Sequence, residues 1–325
     1  MTAASSWAPT AARAALERRA QLLARVREFF GVRAALEVDT PALVRHAVTD
    51  PHIHSAQVQL PGNAQPLFLQ TSPEYAMKRL LAAGSGDIFQ IAHVFRGEER
   101  SRLHNAEFTL IEWYRGGWPM RALMQEVAEL TQLLLGAAAP SAPAQFLDYE
   151  LAFAHAVGLN PLQAGDAELR RCAQSHGLEA SLLRRCSRDE LLDWLMATRI
   201  GPKLGSQALT FVHRYPASQA ALARLDPDDP RVALRFELYY RGIELANGFE
   251  ELTNADEQRA RFEIDRRERA RLGLYVPEVD EALLAALAAG MPPVAGVALG
   301  FDRVLMLHLG VARIDEVLAF PLERA

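Results

Sequence analysis

The chain has 325 residues, of which 50% are apolar and 23% are charged, and its formal net charge is −5. This composition predicts a folded globular protein, and two cysteines are too few for a disulfide scaffold or a zinc site. No apolar run approaches the roughly 20 residues needed to cross a bilayer, and no secretory signal is recognisable, so we expect a cytoplasmic protein. The net negative charge argues against extensive binding to nucleic-acid phosphates.

The first 135 residues alternate between helical and extended patterns. Apolar residues at helical spacing predict a helix over 11–31, and a strand over 35–40 ends at Pro41. A strand over 66–70 runs into Thr71-Ser72-Pro73-Glu74, whose hydroxyl, proline and acid are typical of a helix start, and that helix continues to residue 83. Strands over 87–96 and 108–114 predict a long antiparallel hairpin, and a helix follows over 120–135.

The rest of the chain begins with an alanine- and proline-rich linker over 136–143. A helical insertion is predicted over about 144–205, without an obvious polar constellation; its Cys172 and Cys186 are expected to be reduced packing residues. Strands follow over 209–215, 232–240 and 242–247, the last two forming a hairpin that turns at Arg241-Gly242. Helices over 255–272 and 278–289, a small-residue strand over 293–300 and a helix over 301–309 complete the prediction.

The first candidate constellation is Phe95-Arg96-Gly97-Glu98 and the strand that returns from it. The planar arginine side chain suits a phosphate or a carboxylate, and Phe108 suits stacking on a flat base. Glu112 and Tyr114 are two residues apart, so they share one face of the strand, where a carboxylate and a phenol suit a buried ammonium group. A charged surface hairpin is the alternative.

The second constellation contains Glu237, Glu244 and Glu251, which recur every seven residues. Glycines and β-rich neighbours disfavour a helix here, and a hairpin brings Glu237 close to Glu244. Paired carboxylates that stay ionised usually have a cation between them, and oxygen ligands favour Mg²⁺ shared with nucleotide phosphates. A solvated sheet edge is the alternative.

The third constellation is the small-residue strand around Gly296, followed by a helix with Arg303 in its first turn. Small residues let a ligand lie against the backbone, and helix N-termini and arginine both favour phosphate. A strand of this kind before a helix is common, so this pattern is not specific by itself.

Taken in order, these patterns resemble the three signature motifs of class II aminoacyl-tRNA synthetases. Residues 11–41 resemble motif 1, residues 95–112 motif 2 and residues 296–306 motif 3, so the likeness covers nearly the whole chain. The resemblance implies an α+β fold: an antiparallel β-sheet flanked by helices, in a single catalytic domain over 1–325 with the helical insertion between motifs 2 and 3. It also implies a homodimer built through motif 1, ATP and Mg²⁺ as cofactors, and an aminoacyl-adenylate product.

Within the class the chain resembles the lysyl-tRNA synthetases, through Thr71-Ser72-Pro73-Glu74, Glu112-Trp113-Tyr114 and the run from Glu244 to Glu251. That resemblance implies a role for each matching residue. The catalytic residues are Arg96 and Arg303, at the α- and γ-phosphate regions of ATP. Further ATP-binding residues are Gly97, Glu98, Asn105, Phe108, Glu244, Leu245 and Gly300. Mg²⁺ is held by Glu237 and Glu244. The amino acid is bound by Ser72, Pro73, Glu74, Glu112, Tyr114, Asn247, Glu251 and Ala298.

Two departures from the synthetase pattern change the implied acceptor. Motif 1 begins near residue 11, so we expect no anticodon-binding domain before it. Ala298 stands where the synthetases usually have glycine beside the amino-acid pocket, and one added methyl can cost about 1–3 kcal/mol. In both respects the chain is similar to the elongation factor P–lysine lysyltransferases, as are its stretches 211–219 and 242–249. That family attaches (R)-β-lysine, in preference to lysine, to a lysine ε-amine of elongation factor P.

Two other functions remain open at this point. A truncated synthetase that aminoacylates a tRNA or another RNA is the first, although the expected lack of an RNA-reading domain and the negative charge argue against it. A non-catalytic regulator on a retired synthetase fold is the second. Retention of both motif arginines and of the acidic positions argues against the regulator.

Overall fold

The computed structural model describes residues 7–63, 65–97 and 100–325. Its helices are α1 (Arg13–Gly31), α2 (Glu74–Ala82), α3 (Met120–Leu135), α4 (Tyr149–Val157), α5 (Asp166–Ser175), α6 (Ala180–Leu183), α7 (Arg188–Leu195), α8 (Ala255–Arg271), α9 (Glu281–Ala288) and α10 (Phe301–Leu309). Its strands are β1 (Leu36–Glu37), β2 (Leu43–Val44), β3 (Gln57–Val58), β4 (Leu67–Leu69), β5 (Ile88–Phe95), β6 (Glu107–Gly116), β7 (Gln145–Asp148), β8 (Thr210–Pro216), β9 (Val232–Tyr240), β10 (Ile243–Glu250) and β11 (Val294–Gly300).

The chain divides into two compact units. The first contains the described residues up to Trp118, Glu129–Ala139 and Thr253–Ala325, and the second contains Pro119–Ala128 and Pro140–Leu252. Helices and mostly antiparallel strands occur in both, which confirms the predicted α+β class. A single catalytic domain over the whole chain stays a prediction.

The first unit is organised around strands in the order β1-β5-β6-β11. Strand β6 pairs antiparallel with β5 and with β11, whereas β1 pairs parallel with β5. Because side chains alternate along a strand, one face of β6 carries Trp113, which packs with Phe89 against Phe30 of α1. Phe108, Glu112 and Tyr114 belong to the opposite face. The core beneath α1 therefore fixes which β6 side chains are left for chemistry.

Helix α10 is attached to β6 by a buried aspartate. Oδ2 of Asp302 accepts a hydrogen bond from the backbone N–H of Thr109 at 2.7 Å, and the other carboxylate oxygen pairs with Arg19 of α1. Arg19 also donates to the Thr109 hydroxyl at 2.5 Å. Asp302 is only 1% exposed, so this ion pair is shielded from solvent. The contacts fix the first turn of α10, and with it the neighbouring Arg303.

The second unit has strands in the order β10-β9-β8-β7. Apolar residues of the insertion helices α4, α5 and α7 pack with Val212, Tyr215 and Tyr239 in one hydrophobic core. Cys172 and Cys186 are free thiols at the edge of that core, as the sequence predicted. The predicted turn at Arg241-Gly242 is also confirmed: both residues have positive φ, as a two-residue hairpin turn requires.

Most predicted elements lie within a few residues of the observed ones, and α3, β9 and α10 coincide with their predicted ranges. The start of the insertion was predicted wrongly as helical, because it contains β7. Phe146 stacks on Phe211 of the neighbouring parallel strand β8 at 5.1 Å, a tertiary contact that outweighs local propensity. Pro73 is the residue before α2 rather than its first helical residue. Within the described part of the chain, none of the helices has both the length and the apolar character of a membrane span.

A glycine in the second unit provides a stability prediction. Gly205 has φ of +69°, and a Cβ there would lie 2.5 Å from the backbone Cα of Tyr240. Gly158 has φ of +70° but open space around the same position. We expect Gly158→Ala to cost about 1–2 kcal/mol through backbone strain, and Gly205→Ala to cost at least about 3 kcal/mol because the clash adds to it. Urea denaturation measures both, and equal losses would contradict the clash.

Candidate active site

A carboxylate lies at the centre of the β6 face that is turned away from α1. Glu112 is paired in register with Gln90 of β5 and with Ala298 of β11, so these three side chains share one face of the sheet. Its Oε2 accepts a hydrogen bond from the Ser72 hydroxyl at 2.7 Å, and its Oε1 accepts one from the Tyr114 phenol at 2.8 Å. Glu112 is only 2% exposed. The structure thus brings together three of the residues predicted to bind the amino acid.

The start of α2 adds a second carboxylate to this group. Ser72 Oγ accepts a hydrogen bond from the Glu74 backbone N–H at 3.1 Å, so one hydroxyl contacts both Glu112 and the first turn of α2. Oε1 of Glu74 accepts a hydrogen bond from Lys78 Nζ at 2.6 Å. We call Ser72, Glu74, Lys78, Glu112 and Tyr114 the acidic pocket. It holds two carboxylates and one ammonium, an arrangement suited to a cationic ligand.

Burial controls the protonation of Glu112. Burial and, after it, the nearby Glu74 carboxylate raise the pKa of Glu112 to about 7, against the opposing effects of the Ser72 and Tyr114 hydrogen bonds and of the Lys78 charge. The ionised form of Glu112 is therefore only partly populated in neutral solution. A ligand ammonium would favour the ionised form and so lower this pKa.

The pH dependence of amino-acid binding follows from that shift. An ammonium ligand needs ionised Glu112, so its affinity is present above pH 7 and is lost as pH falls through 7. We expect KM for the amino acid to rise about 15-fold between pH 7 and pH 5.5, because Glu112 must release one proton before an ammonium binds. Amino-acid-dependent ATP–pyrophosphate exchange over this range measures it. A flat profile would contradict the assignment.

Two arginines and an aromatic ring lie toward the end of the β5–β6 hairpin. The guanidinium of Arg96 is 5.1 Å from the centre of the Phe108 ring. One guanidinium nitrogen of Arg303 lies 2.5 Å from Nε2 of His104, and Nε donates to the carbonyl of Leu103 at 3.4 Å. Phe108 and Glu112 are four residues apart on one face, or about 13 Å along the strand. The acidic pocket and the arginines are thus separate ends of one surface.

The remaining predicted residues of the first unit have structural contacts of their own. Asn105 is buried, and its amide donates to the Glu107 carbonyl at 2.6 Å and accepts from the Leu322 N–H at 3.2 Å. Gly97 N–H donates to the His54 carbonyl at 2.8 Å, and Gly300 ends β11 immediately before α10. Glu98 lies outside the described residues. The roles proposed for these residues stay predictions.

The β9–β10 hairpin of the second unit holds the other acidic residues. Glu237 accepts hydrogen bonds from Arg235 and from the Tyr239 phenol, both at 2.5 Å. Arg235 also donates to Oδ1 of Asn247 at 3.2 Å, and Asn247 is the register partner of Glu237. A predicted metal residue and a predicted substrate residue are thus linked through one arginine.

The strand register places Glu244 beside the hydrogen-bonded group around Glu237. It pairs with Tyr239, and after a bulge between Glu244 and Ala246 the pairing resumes with Ala246 opposite Leu238. Burial raises the pKa of Tyr239 well above its usual range, and Glu237 and Glu244 both raise it further. Both carboxylates therefore act on the Tyr239 phenol, while the predicted approach of Glu237 to Glu244 stays a prediction. Leu245 and Glu251 are buried, at 2% and 3% exposure.

The residues that suit a metal ion are few. The described residues contain no group of three or more His, Cys, Asp or Glu side chains able to hold one. Glu237 and Glu244 offer oxygen ligands, and Mg²⁺ is commonly bound by one or two carboxylates completed by substrate phosphates. The pair fits an ion of that kind. Arg235 and Tyr239 compete with a metal for the Glu237 oxygens.

Sequence reasoning assigned no role to Lys78, His104 or Arg235. Lys78 had a usable signal, since it lies four residues after Glu74, where helical side chains meet. Arg235 had another, because it shares a strand face with Glu237 two residues on. The contact of His104 with Arg303 joins residues 199 positions apart, and no local pattern indicates it.

Comparison with known proteins agrees with the fold. A family model described as tRNA synthetases class II (D, K and N) matches residues 6–324. The chain therefore belongs to the class II tRNA synthetase family, whose ligases generally use ATP and a divalent metal. Similar proteins bear the name elongation factor P–(R)-β-lysine ligase. The one from Vibrio vulnificus is 49% identical over 98% of both chains, the one from Vibrio cholerae 49% over 99%, and the one from Erwinia tasmaniensis 48% over the full length of both.

Proposed function

We propose that the chain is an AMP-forming ligase that activates (R)-β-lysine or lysine with ATP and transfers it to a lysine ε-amine of elongation factor P. One observation carries the proposal: Glu112 is a buried carboxylate held by Ser72 and Tyr114, which suits an ammonium, in a chain 49% identical over 98% of its length to a ligase of that name. A homodimer formed through α1 is part of the proposal, and light scattering of the purified protein tests it.

The chain's residues support a two-step reaction. Glu112 and Tyr114 bind the side-chain ammonium of the amino acid, and Glu74 faces its other amine. The carboxylate then attacks the α-phosphorus of ATP in line, forming the adenylate and releasing pyrophosphate. Arg96 and Arg303 neutralise the developing negative charge, and Phe108 stacks on adenine. Positioning of the two substrates supplies most of the rate acceleration, because no protein side chain forms a covalent bond in this reaction.

The second step uses the acceptor lysine. Its neutral ε-amine attacks the adenylate carbonyl, an amide bond forms, and AMP leaves as the amine loses its proton. Glu237, Glu244 and Asn247 serve the first step: the two carboxylates would hold Mg²⁺, which supplies charge neutralisation for nucleotide phosphates when bound. Asn247 and Glu251 complete the amino-acid contacts in this proposal.

The test offers the purified protein ATP, Mg²⁺ and labelled (R)-β-lysine or lysine, and then an acceptor. The acceptors are elongation factor P, the same factor with its target lysine replaced by alanine, and total tRNA. We expect label on the intact factor alone. Label on tRNA alone would favour the RNA-aminoacylating enzyme, and absence of any adenylate would favour the regulator.

Ala298 provides a specificity prediction. Its methyl lies on the same face as Glu112 and packs beside Ala92, Val94 and Leu110. Ala298→Gly removes that methyl and is expected to improve kcat/KM for lysine relative to (R)-β-lysine by about tenfold, the usual effect of one carbon in a pocket. Competition between the two amino acids measures the ratio. An unchanged ratio would show that the methyl is not the selector.

A further inference from the structure

The chain uses lysine very sparingly. Of its 35 basic residues, 33 are arginines and only Lys78 and Lys203 are lysines. Lys203 is exposed at the surface of the second unit, whereas Lys78 is 1% exposed. A sequence that uses arginine almost everywhere thus has a lysine at one buried position. The lysine ammonium is a compact point charge, whereas the arginine guanidinium is a larger planar group. A lysine at position 78 therefore fits a buried site with room only for a small cation.

Lys78 is placed by α2 against the acidic pocket. It lies one helical turn after Glu74, and its Nζ donates to Glu74 Oε1 at 2.6 Å. Glutamate and lysine at this spacing are usually a solvated surface pair, but here the side chains are 16% and 1% exposed. An ion pair removed from water in this way is retained at a cost in desolvation, which points to a role for its geometry.

The charges around Glu112 show what that role is. The titratable groups that act on it are Glu74 and Lys78 from α2 and Tyr114 from its own strand, while its register partners Gln90 and Ala298 are neutral. Glu74 disfavours the ionised form of Glu112, and Lys78 favours it. Two neighbouring carboxylates do not readily ionise together without a cation nearby.

We propose that Lys78 is a positioning residue for amino-acid recognition: it holds the Glu74 carboxylate and acts as an internal counterion that increases the ionised fraction of Glu112 available to the substrate ammonium. When both carboxylates are ionised and Lys78 is present, the pocket carries one net negative charge, which complements the net charge of +1 of a lysine-type amino acid. This inference rests on the proposed function, because it assigns Glu74 and Glu112 to the amines of a lysine-type substrate.

The experiment compares Lys78→Met and Lys78→Arg with the matched control Lys203→Met, which removes the exposed lysine. ATP–pyrophosphate exchange from pH 6 to pH 9 gives KM for lysine, (R)-β-lysine and ATP. For Lys78→Met we expect KM for the amino acid at pH 7 to rise about fivefold, the effect of raising the Glu112 pKa by roughly one unit from about 7. This KM should recover toward the wild-type value at pH 9, and KM for ATP should stay within about twofold of wild type. Lys78→Arg keeps the charge and should keep the wild-type pH profile, with a smaller rise in KM.

A second measurement does not depend on activity. Carbon-13 NMR of labelled glutamate carboxyls, with the Glu112 signal assigned by Glu112→Gln, gives the pKa of Glu112 directly. Lys78→Met should raise it and Lys203→Met should not. An unchanged pKa overturns the proposal, as does a uniform loss of activity with no pH shift. If Lys78→Met does not fold, Lys78→Gln is titrated in its place. Wild-type protein that makes no adenylate would defeat the proposed function, while the NMR titration still decides the role of Lys78.

Discussion

Glu112→Gln is expected to lower kcat/KM for lysine or (R)-β-lysine about 100-fold or more, because it removes the charge that meets a buried ammonium. Glutamine keeps the shape and one acceptor oxygen for Ser72 or Tyr114, so the fold should survive. KM for ATP should change by less than about twofold, since the arginines lie at the other end of the strand. Pyrophosphate exchange with each substrate varied in turn separates the two effects.

Glu107→Gln is the matched control for that experiment. Glu107 begins the same strand, but its side chain is 49% exposed and pairs with His93. We expect its replacement to leave both KM values unchanged, because an exposed pair of this kind contributes little. Equal losses in the two variants would show that the effect of Glu112→Gln comes from strand β6 as a whole rather than from the pocket.

Arg303→Ala is expected to lower kcat for adenylate formation about 1,000-fold, the usual loss when one preorganised charge is removed from a transition state. The helix should keep its position, because the neighbouring Asp302 holds α10 to Thr109 and Arg19. Single-turnover formation of labelled adenylate measures the rate. Arg303→Lys keeps a charge without the planar fork and should recover only part of the loss.

Arg267→Ala controls for the loss of a positive charge, since Arg267 is exposed on α8 of the same unit. It should leave the rate within about twofold of wild type, because solvent screens a charge of this kind. A comparable fall in both variants would contradict a local role for Arg303. A fall in melting temperature with Arg303→Ala alone would assign that arginine to the stability of α10.

The sequence was most informative where one residue pattern decides one local geometry. Alternation along β6 placed Glu112 and Tyr114 on one face, and their hydrogen bond confirms it. The Arg241-Gly242 pair predicted the β9–β10 turn, because a tight hairpin needs positive φ at both positions. In both cases the local geometry is determined by residues that lie close together in the sequence.

The sequence predicted wrongly, or did not predict, structural features that depend on contacts with a segment far away in the chain. Strand β7 was assigned to the helical insertion because its partner β8 lies more than sixty residues later. The ATP-binding role of Asn105 stays a prediction, and its side-chain amide also joins the β5–β6 hairpin to Leu322, 217 positions away, a contact that no local pattern indicates. Lys78 met the spacing rule for a pair with Glu74, but only tertiary packing shows that the pair is buried.

The alternation of β6 also limits how this protein can vary. A single-residue insertion between Phe108 and Glu112 would turn Glu112 toward Phe30 of α1 and bring Ile111 to the substrate face. This single insertion would disrupt both the packing of the core against α1 and the carboxylate proposed to bind the amino acid. We therefore expect a change in amino-acid preference at this strand to come from substitutions or from two-residue changes in length, which keep Glu112 on its face. An engineer who wants a new substrate has the same restriction.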